Sequence, residues 1–158
     1  MKDILESQKD LSYNNLKILL IKEICHNFYK KKLDNLLEGN IEMFCENNSE
    51  WIPVFYSIET KKIVFYNQED EKKEKNMIKP ILFFKLNSIF RNKISKDYSN
   101  SKKRNNILEI SIIEDVTKWV QGIYAPRRKI NYYFAAERMK DIYQLEIGIN
   151  FLKMKINY

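Results

Sequence analysis

Trp51-Ile-Pro-Val-Phe-Tyr-Ser-Ile-Glu-Thr-Lys-Lys-Ile-Val-Phe-Tyr66 is the stretch that sets the fold class. Its arms, Trp51–Ile58 and Lys62–Tyr66, are built from β-branched and aromatic residues, which suit a pleated, half-buried surface. Glu59-Thr60-Lys61 separates them, so the stretch reads as a β-hairpin. Pro53 has no N–H to donate into a ladder, which places the start of the first strand at a sheet edge. Ile41–Cys45 reads as a short strand before it.

Upstream, the spacing predicts a helix from Ser12 to Gly39. Ser12 is a good N-cap, Leu11 and Leu16 are placed as a hydrophobic staple, and Gly39 suits a helix stop. Such a helix spans about 26 residues, or roughly 39 Å. Tyr13, Leu16, Leu20, Ile24 and Phe28 form one apolar stripe, and Ile18, Cys25 and Tyr29 form a second, joined later by Leu36. Two stripes predict a core helix covered on both sides. Lys30-Lys31-Lys32 spreads around its circumference as a solvated collar.

Downstream, Glu69–Lys75 is a mixed charge run and reads as a loop. After Pro80, Phe83, Leu86, Phe90 and Ile94 share one helical face, although Ile81–Leu86 also fits a buried strand. Ser95 to Asn106 lacks core aliphatics and reads as a mobile loop. Ile107–Gln121 fits a helix capped by Asn106 and Glu109, with a strand at Ile107–Ile113 as its rival. In the last segment Tyr143, Leu145, Ile147, Ile149 and Phe151 alternate with polar residues and Gly148, as in a half-buried strand. Met139-Lys140-Asp141 then serves as the turn joining it to Ile130–Ala136.

The expected fold is a single α+β domain over residues 1–158, with a long N-terminal core helix packed on an antiparallel β-sheet and one or two further helices. The sheet draws on Ile52–Ile58, Lys62–Tyr66, Ile130–Ala136 and Ile142–Lys153.

With 158 residues there is enough chain for a real core. No stretch approaches the roughly 18 uncharged apolar residues of a membrane span, and the N-terminus has no apolar signal-peptide core. Two cysteines, Cys25 and Cys45, make neither a disulfide framework nor a zinc spacing, so a cytoplasmic setting is expected. The 23 Lys, 22 Ile and 17 Asn, against 5 Arg and 3 Ala, are what AT-rich codons encode, which weakens basicity as a sign of nucleic acid. The distribution of charge says more. Residues 1–76 hold 12 Lys against 14 Asp and Glu, whereas residues 77–158 hold 16 Lys and Arg against 7 acids.

Catalytic chemistry has few candidates. His26 is the lone histidine, and its neighbour Cys25 points 100° away on a helix, a poor nucleophile–base pair. Three glycines rule out a phosphate loop, and no cofactor or metal is implied. Glu59-Thr60-Lys61 has the ExK form seen in PD-(D/E)xK nucleases, where a carboxylate holds a metal and a lysine polarises water. An upstream acid is then needed, and Glu42, Glu46 or Glu50 qualify by composition. The sharper candidates are Lys102, Lys103 and Arg104 in the loop, Arg127, Arg128 and Lys129 after Pro126, and the nearby Tyr124, Tyr132 and Tyr133. Arginines grip phosphates and carboxylates bidentately, and exposed aromatics stack on bases. Elimination favours a small binding protein that is not an enzyme. Its expected partner is a protein with an acidic surface, as for an inhibitor, immunity or antitoxin-like factor. Nucleic-acid binding through residues 101–104 and 127–133 is the alternative.

Overall fold

The structure is a computed structural model of the 158-residue chain. It describes residues 2–30, 35–74, 77–95, 104, 107–114, 119–120, 123–124 and 128–156, and within these the side chains except at 2–12, 95, 114, 119–120, 123–124 and 155–156. An N-terminal helix, α1 (Lys2–Tyr29), leads into β1 (Leu37–Cys45), β2 (Glu50–Ile58), β3 (Lys62–Asn67) and β4 (Leu82–Lys85). After a 3₁₀ turn at Leu86–Ser88 come β5 (Ile89–Ser95), β6 (Ile107–Glu114), the short pair β7 (Trp119–Val120) and β8 (Ile123–Tyr124), β9 (Arg128–Ala135) and a closing helix, α2 (Met139–Ile156). Seven strands form one antiparallel sheet in the order β4-β3-β2-β1-β9-β6-β5, and β7 pairs with β8 apart from it.

That sheet is curled. Adjacent strands sit about 4.8 Å apart, so β3 and β9, three ladders apart, would be about 14 Å from each other in a flat sheet. Yet the rings of Phe65 on β3 and Phe134 on β9 stack with centroids 4.7 Å apart. Phe84 and Tyr132, four ladders apart, stack at 5.6 Å. The sheet has folded across its own face, and β1 is the crease. All nine residues of β1 pair with β2, but only Glu42 and Met43 meet β9. Tyr56, Phe65, Phe84 and Phe134 fill the interior with Val54, Ile58, Ile63, Leu108 and Ile110.

The α2 helix closes the curl. Ile142, Leu145, Ile149 and Leu152, at steps of three and four, are all buried in the common core. Gly148 is buried against β1 and β2, where an added Cβ would lie 2.6 Å from Leu37 Cδ2 and 3.2 Å from Ile58 Cδ1. Polar ties add direction. The Asn92 amide on β5 donates to the Glu146 carbonyl at 3.0 Å, and Gln144 donates to the Glu38 carbonyl of β1 at 2.9 Å. Lys153 donates to the Ile89 carbonyl, and burial lowers its pKa.

The strands at Ile52–Ile58 and Lys62–Tyr66 are present within β2 and β3, that at Ile130–Ala136 is present in β9 up to Ala135, and the hairpin turn falls at residues 59–61 as expected. Four readings are corrected. Ile142–Lys153 is helix, not strand: its apolar positions fit both periods, and the open side of the curled sheet takes the helical one. Met139–Asp141 is the first turn of α2, where Arg138 pairs with Asp141 at 3.2 Å. In place of the helices over Phe83–Ile94 and Ile107–Gln121 the rival strand readings hold: the described residues there form β4, β5 and β6, with the 3₁₀ turn at Leu86–Ser88, because Leu82, Phe84, Ile89, Leu108, Ile110 and Ile112 face the sheet interior. The loop expected at 95–106 lies outside the described residues, apart from Ser95 and Arg104.

The fourth correction concerns the N-terminal helix. It ends at Tyr29, and Leu36 already donates to the Ile58 carbonyl of β2 at 2.8 Å. Gly39 is no helix stop. It sits in β1 opposite Tyr56, whose hydroxyl oxygen lies 2.7 Å from where a Cβ would be. The helix is also not covered on two sides. Leu20 and Ile24 are buried and Tyr13 and Leu16 pack on α2, but Ile18, Phe28 and Tyr29 are exposed. Tyr13 meets Tyr143 edge to face at 5.1 Å, and its hydroxyl donates to Glu146 at 3.1 Å.

The curl predicts that Phe65→Ala and Phe134→Ala each destabilise by about 3–5 kcal/mol. A double-mutant cycle in urea is expected to show a coupling of about 0.5–1.5 kcal/mol for the ring pair, and zero coupling would mean the rings do not meet. A second prediction concerns Glu146. Burial raises its pKa, and the Tyr13 hydrogen bond only partly opposes this. A carboxyl raised on folding opposes folding once ionised, so its penalty is complete above the folded pKa and fades as pH falls towards the unfolded value. Glu146→Gln keeps an acceptor for Tyr13 without the charge. Its stability relative to wild type is expected to be higher at about pH 7 than at about pH 5 in urea titrations.

Candidate interaction surface

Strand register places residues on faces without reference to their side chains. Arg91 of β5 is opposite Ser111 of β6, which is opposite Asn131 of β9. Lys93, Glu109 and Tyr133 form the next row, and Ile113 with Lys129 the row on the other side. The leucine and isoleucines of β6 at 108, 110 and 112 take the inner face, so these rows lie on the outer one. One outer face therefore gathers Arg91, Lys93 and Lys129. Phe90, at the register shift of β5, adds an exposed ring, and the Lys129 ammonium lies 5.1 Å from its centroid.

The acid among these cations is Glu109. Only 4% of it is exposed, and Arg91 pairs with it at 3.2 Å. The Ser111 hydroxyl lies 3.3 Å from the same carboxylate oxygen and donates to Asn131 at 2.7 Å. Glu109 is thus buried beneath the basic surface and fixes the Arg91 fork. The face keeps an excess of positive charge towards solvent.

A second charged corner lies where β1 and β2 meet their turn. Arg104 donates to Glu42 at 2.8 Å, with its guanidinium carbon 5.5 Å from the Trp51 ring centre. Trp51 itself packs on Phe44 across the hairpin at 5.2 Å. The turn beyond, Glu46-Asn47-Asn48-Ser49, carries an acid and no base, with Ser49 at φ 52.

The sequence candidates divide accordingly. Lys129 and Arg128 are exposed, Lys129 on the basic face and Arg128 opposite Glu114 at its end. Arg104 is at the other corner, engaged by Glu42 and Trp51. Tyr132 is half-buried and stacked on Phe84, and Tyr133 is only 8% exposed, so neither presents a ring for stacking. Tyr124 lies in β8, where its side chain is not described, and Lys102, Lys103 and Arg127 lie outside the described residues. Sequence reasoning missed Phe90, Arg91, Lys93 and Glu109. Their signal was present as an i, i+2 pair of cations, but a helical reading of residues 83–94 hid it.

The ExK motif is dispersed. Glu59 and Lys61 lie in the β2–β3 turn, with Glu59 paired to Lys62 at 3.6 Å. Glu46 and Glu50 are at the far end of the hairpin, about 30 Å away at 3.3 Å per residue, and Glu42 is about 20 Å away. Among the described residues no group of three or more His, Cys, Asp or Glu side chains is placed to hold a metal. No described helix is long and apolar enough to cross a membrane.

A curled seven-stranded antiparallel sheet closed by one C-terminal helix matches solved structures. The fold is that of a PH domain. The Slm1-PH domain, solved in complex with inositol-4-phosphate, superposes with a TM-score of 0.52 over 76% of this chain and 96% of its own, at 14% identity. Its complex with phosphoserine gives 0.53 at 12% identity, with the same coverage. The PH domain from TgAPH gives 0.53, covering 89% of this chain and 97% of that one, at 11% identity. A chain of the complex of human RhoA with the DH/PH fragment of PDZRHOGEF gives 0.51 over 77% of this chain and 29% of its own, at 14% identity. No family model matches the sequence, and no curated protein does.

On this PH fold, the buried carboxylate predicts an asymmetry between two neighbouring cations. Arg91→Ala strands Glu109 and is expected to destabilise by about 1–3 kcal/mol. Lys93→Ala, at an exposed position of the same face, is expected to change stability by less than about 0.5 kcal/mol. Thermal denaturation of the two variants side by side checks this.

Proposed function

We propose that this chain is a non-enzymatic binding module that recognises an acidic protein surface through the outer face of β5, β6 and β9. One observation carries the reading. Arg91, Lys93 and Lys129 share a face beside exposed Phe90, while the acid among them, Glu109, is buried and already engaged. Such a face attracts carboxylates, speeds encounter, and offers an aromatic for the centre of the contact. The charge asymmetry of the sequence supports the same face, since its cations all come from the basic second half.

The structural neighbours support binding at the level of fold. Slm1-PH was solved with phosphate esters, and the PDZRHOGEF fragment with RhoA. An inhibitor, immunity or antitoxin-like role in the cytoplasm is the specific form this reading takes. Nucleic-acid binding is the weaker alternative, because Tyr132 faces inward and Tyr133, though on the outer face, is buried, which removes two of the expected stacking platforms.

Titration calorimetry with a poly-glutamate peptide tests the proposal, with phosphoserine and a duplex oligonucleotide as comparison probes. Wild type is expected to bind the peptide at low salt and to weaken as salt rises. Lys93→Glu combined with Lys129→Glu should weaken binding by about tenfold or more. Undiminished binding by the double variant overturns the assignment of the face. Tighter binding of the oligonucleotide than of the peptide moves the reading to nucleic acid.

A further inference from the structure

The β1–β2 hairpin is the acidic arm of a basic chain. Residues 37–58 hold Glu38, Glu42, Glu46 and Glu50 and no lysine or arginine, in a protein of net charge +7. The register sets Glu42 opposite Pro53 and Phe44 opposite Trp51, so the carboxylate and the two rings share one face near the turn. Phe44 and Trp51 pack on each other at 5.2 Å, tilted by 58°, and lie outside the two apolar clusters of the core. A carboxylate beside an aromatic face suits a guanidinium, because one accepts its hydrogen bonds and the other offers a surface of negative potential. The corner already holds such a group. Arg104, 62 residues further along the chain, donates from Nε to Glu42 at 2.8 Å, and its guanidinium carbon lies 5.5 Å from the Trp51 ring centre.

We propose that this corner is a recognition site for an arginine side chain on a basic peptide segment, and that Arg104 fills it in cis until such a segment displaces it. The chemistry of the occupant is that of Arg104 itself. Exchange follows from exposure. The Arg104 side chain is 39% exposed and that of Glu42 36%, the range in which a single ion pair holds weakly. Arg104 competes from within the same chain, at a high effective concentration, so an incoming arginine must bring further contacts. Glu46 and Glu50, both exposed at the end of the hairpin, supply them to neighbouring cations of a basic segment. Arginine is favoured over lysine, because a planar guanidinium stacks on Trp51 while it hydrogen-bonds to Glu42 and an ammonium does not. None of these residues belongs to the basic face of β5, β6 and β9, and the two surfaces select partners of opposite charge. The chain then has two independent contacts, one for an acidic partner and one for a basic one.

Fluorescence anisotropy of a labelled tri-arginine peptide titrated with the full chain at low salt tests this, with a tri-lysine peptide for comparison. Arg104→Ala vacates the corner and is expected to bind tri-arginine about fivefold tighter than wild type, and to prefer it to tri-lysine. Lys85→Ala removes the same charge from an exposed position on β4 and is expected to keep the wild-type affinity, which separates vacating a site from lowering the net charge. Adding Glu42→Gln to Arg104→Ala should weaken binding by about tenfold, with circular dichroism unchanged, since Glu42 lies on the outer face. Equal affinity of Arg104→Ala and wild type, an equal gain in Lys85→Ala, or no preference for arginine over lysine overturns the proposal. So does an Arg104→Ala affinity that survives Glu42→Gln, and so does a lack of binding by every chain.

Discussion

The stack of Phe65 on Phe134 is the contact on which the rest depends. These residues belong to strands that a flat sheet would hold about 14 Å apart, and their rings meet at 4.7 Å. A sheet this size has two faces, and the two α-helices among the described residues cannot cover both. Folding the sheet onto itself lets one face become its own cover. Tyr56, Phe84 and Tyr132 extend the contact along the crease, and their large rings bridge the curl. Strand β1 permits it by pairing fully with β2 and only at Glu42–Met43 with β9.

Curling leaves an open side, and α2 closes it. The helix comes close because position 148 has no side chain to keep it away from Leu37 and Ile58. Gln144 and Lys153 then donate to the Glu38 and Ile89 carbonyls at the two margins of the opening, and Asn92 of β5 donates to the helix carbonyl of Glu146, which fixes its rotation as well as its position. One carboxylate, Glu146, lies in the seam between the two helices. Its partial burial is only partly offset by the hydrogen bond from the Tyr13 hydroxyl that joins α1 to the assembly. Because the core is satisfied from within, the outer faces are released from structural work.

The outer face over β5, β6 and β9 shows what that release allows. Glu109 holds Arg91 from below, and Ser111 with Asn131 completes a polar row across three strands. The result is a preorganised basic surface on regular strands, where backbone geometry limits side-chain freedom. A second patch of the outer surface is apolar and covered. Phe55 and Tyr66 stack at 4.9 Å, and Ile78 from the β3–β4 connection packs on them. The two outer faces are thus treated oppositely, one sealed by apolar packing and one charged.

Much of this was legible in residues alone. Trp51–Tyr66 determined a hairpin, Ile130–Ala136 a strand, and the composition an antiparallel α+β domain with a basic second half. Residues 142–153 were not decidable locally, because Ile142, Leu145, Ile149 and Leu152 satisfy a helix while Tyr143, Leu145, Ile147, Ile149 and Phe151 satisfy a strand. Gly39 reads as a helix stop until Tyr56 is seen lying over it. Arg91 and Lys93 read as scattered charges until β5 sets them on the same face as Lys129, which is 36 residues further on in sequence. The sequence by itself determined which segments are apolar and where charge accumulates, since both are local sums over side chains. Only the tertiary structure decided which period α2 adopts, how far α1 runs and which cations share a face, because each depends on what lies across the curl.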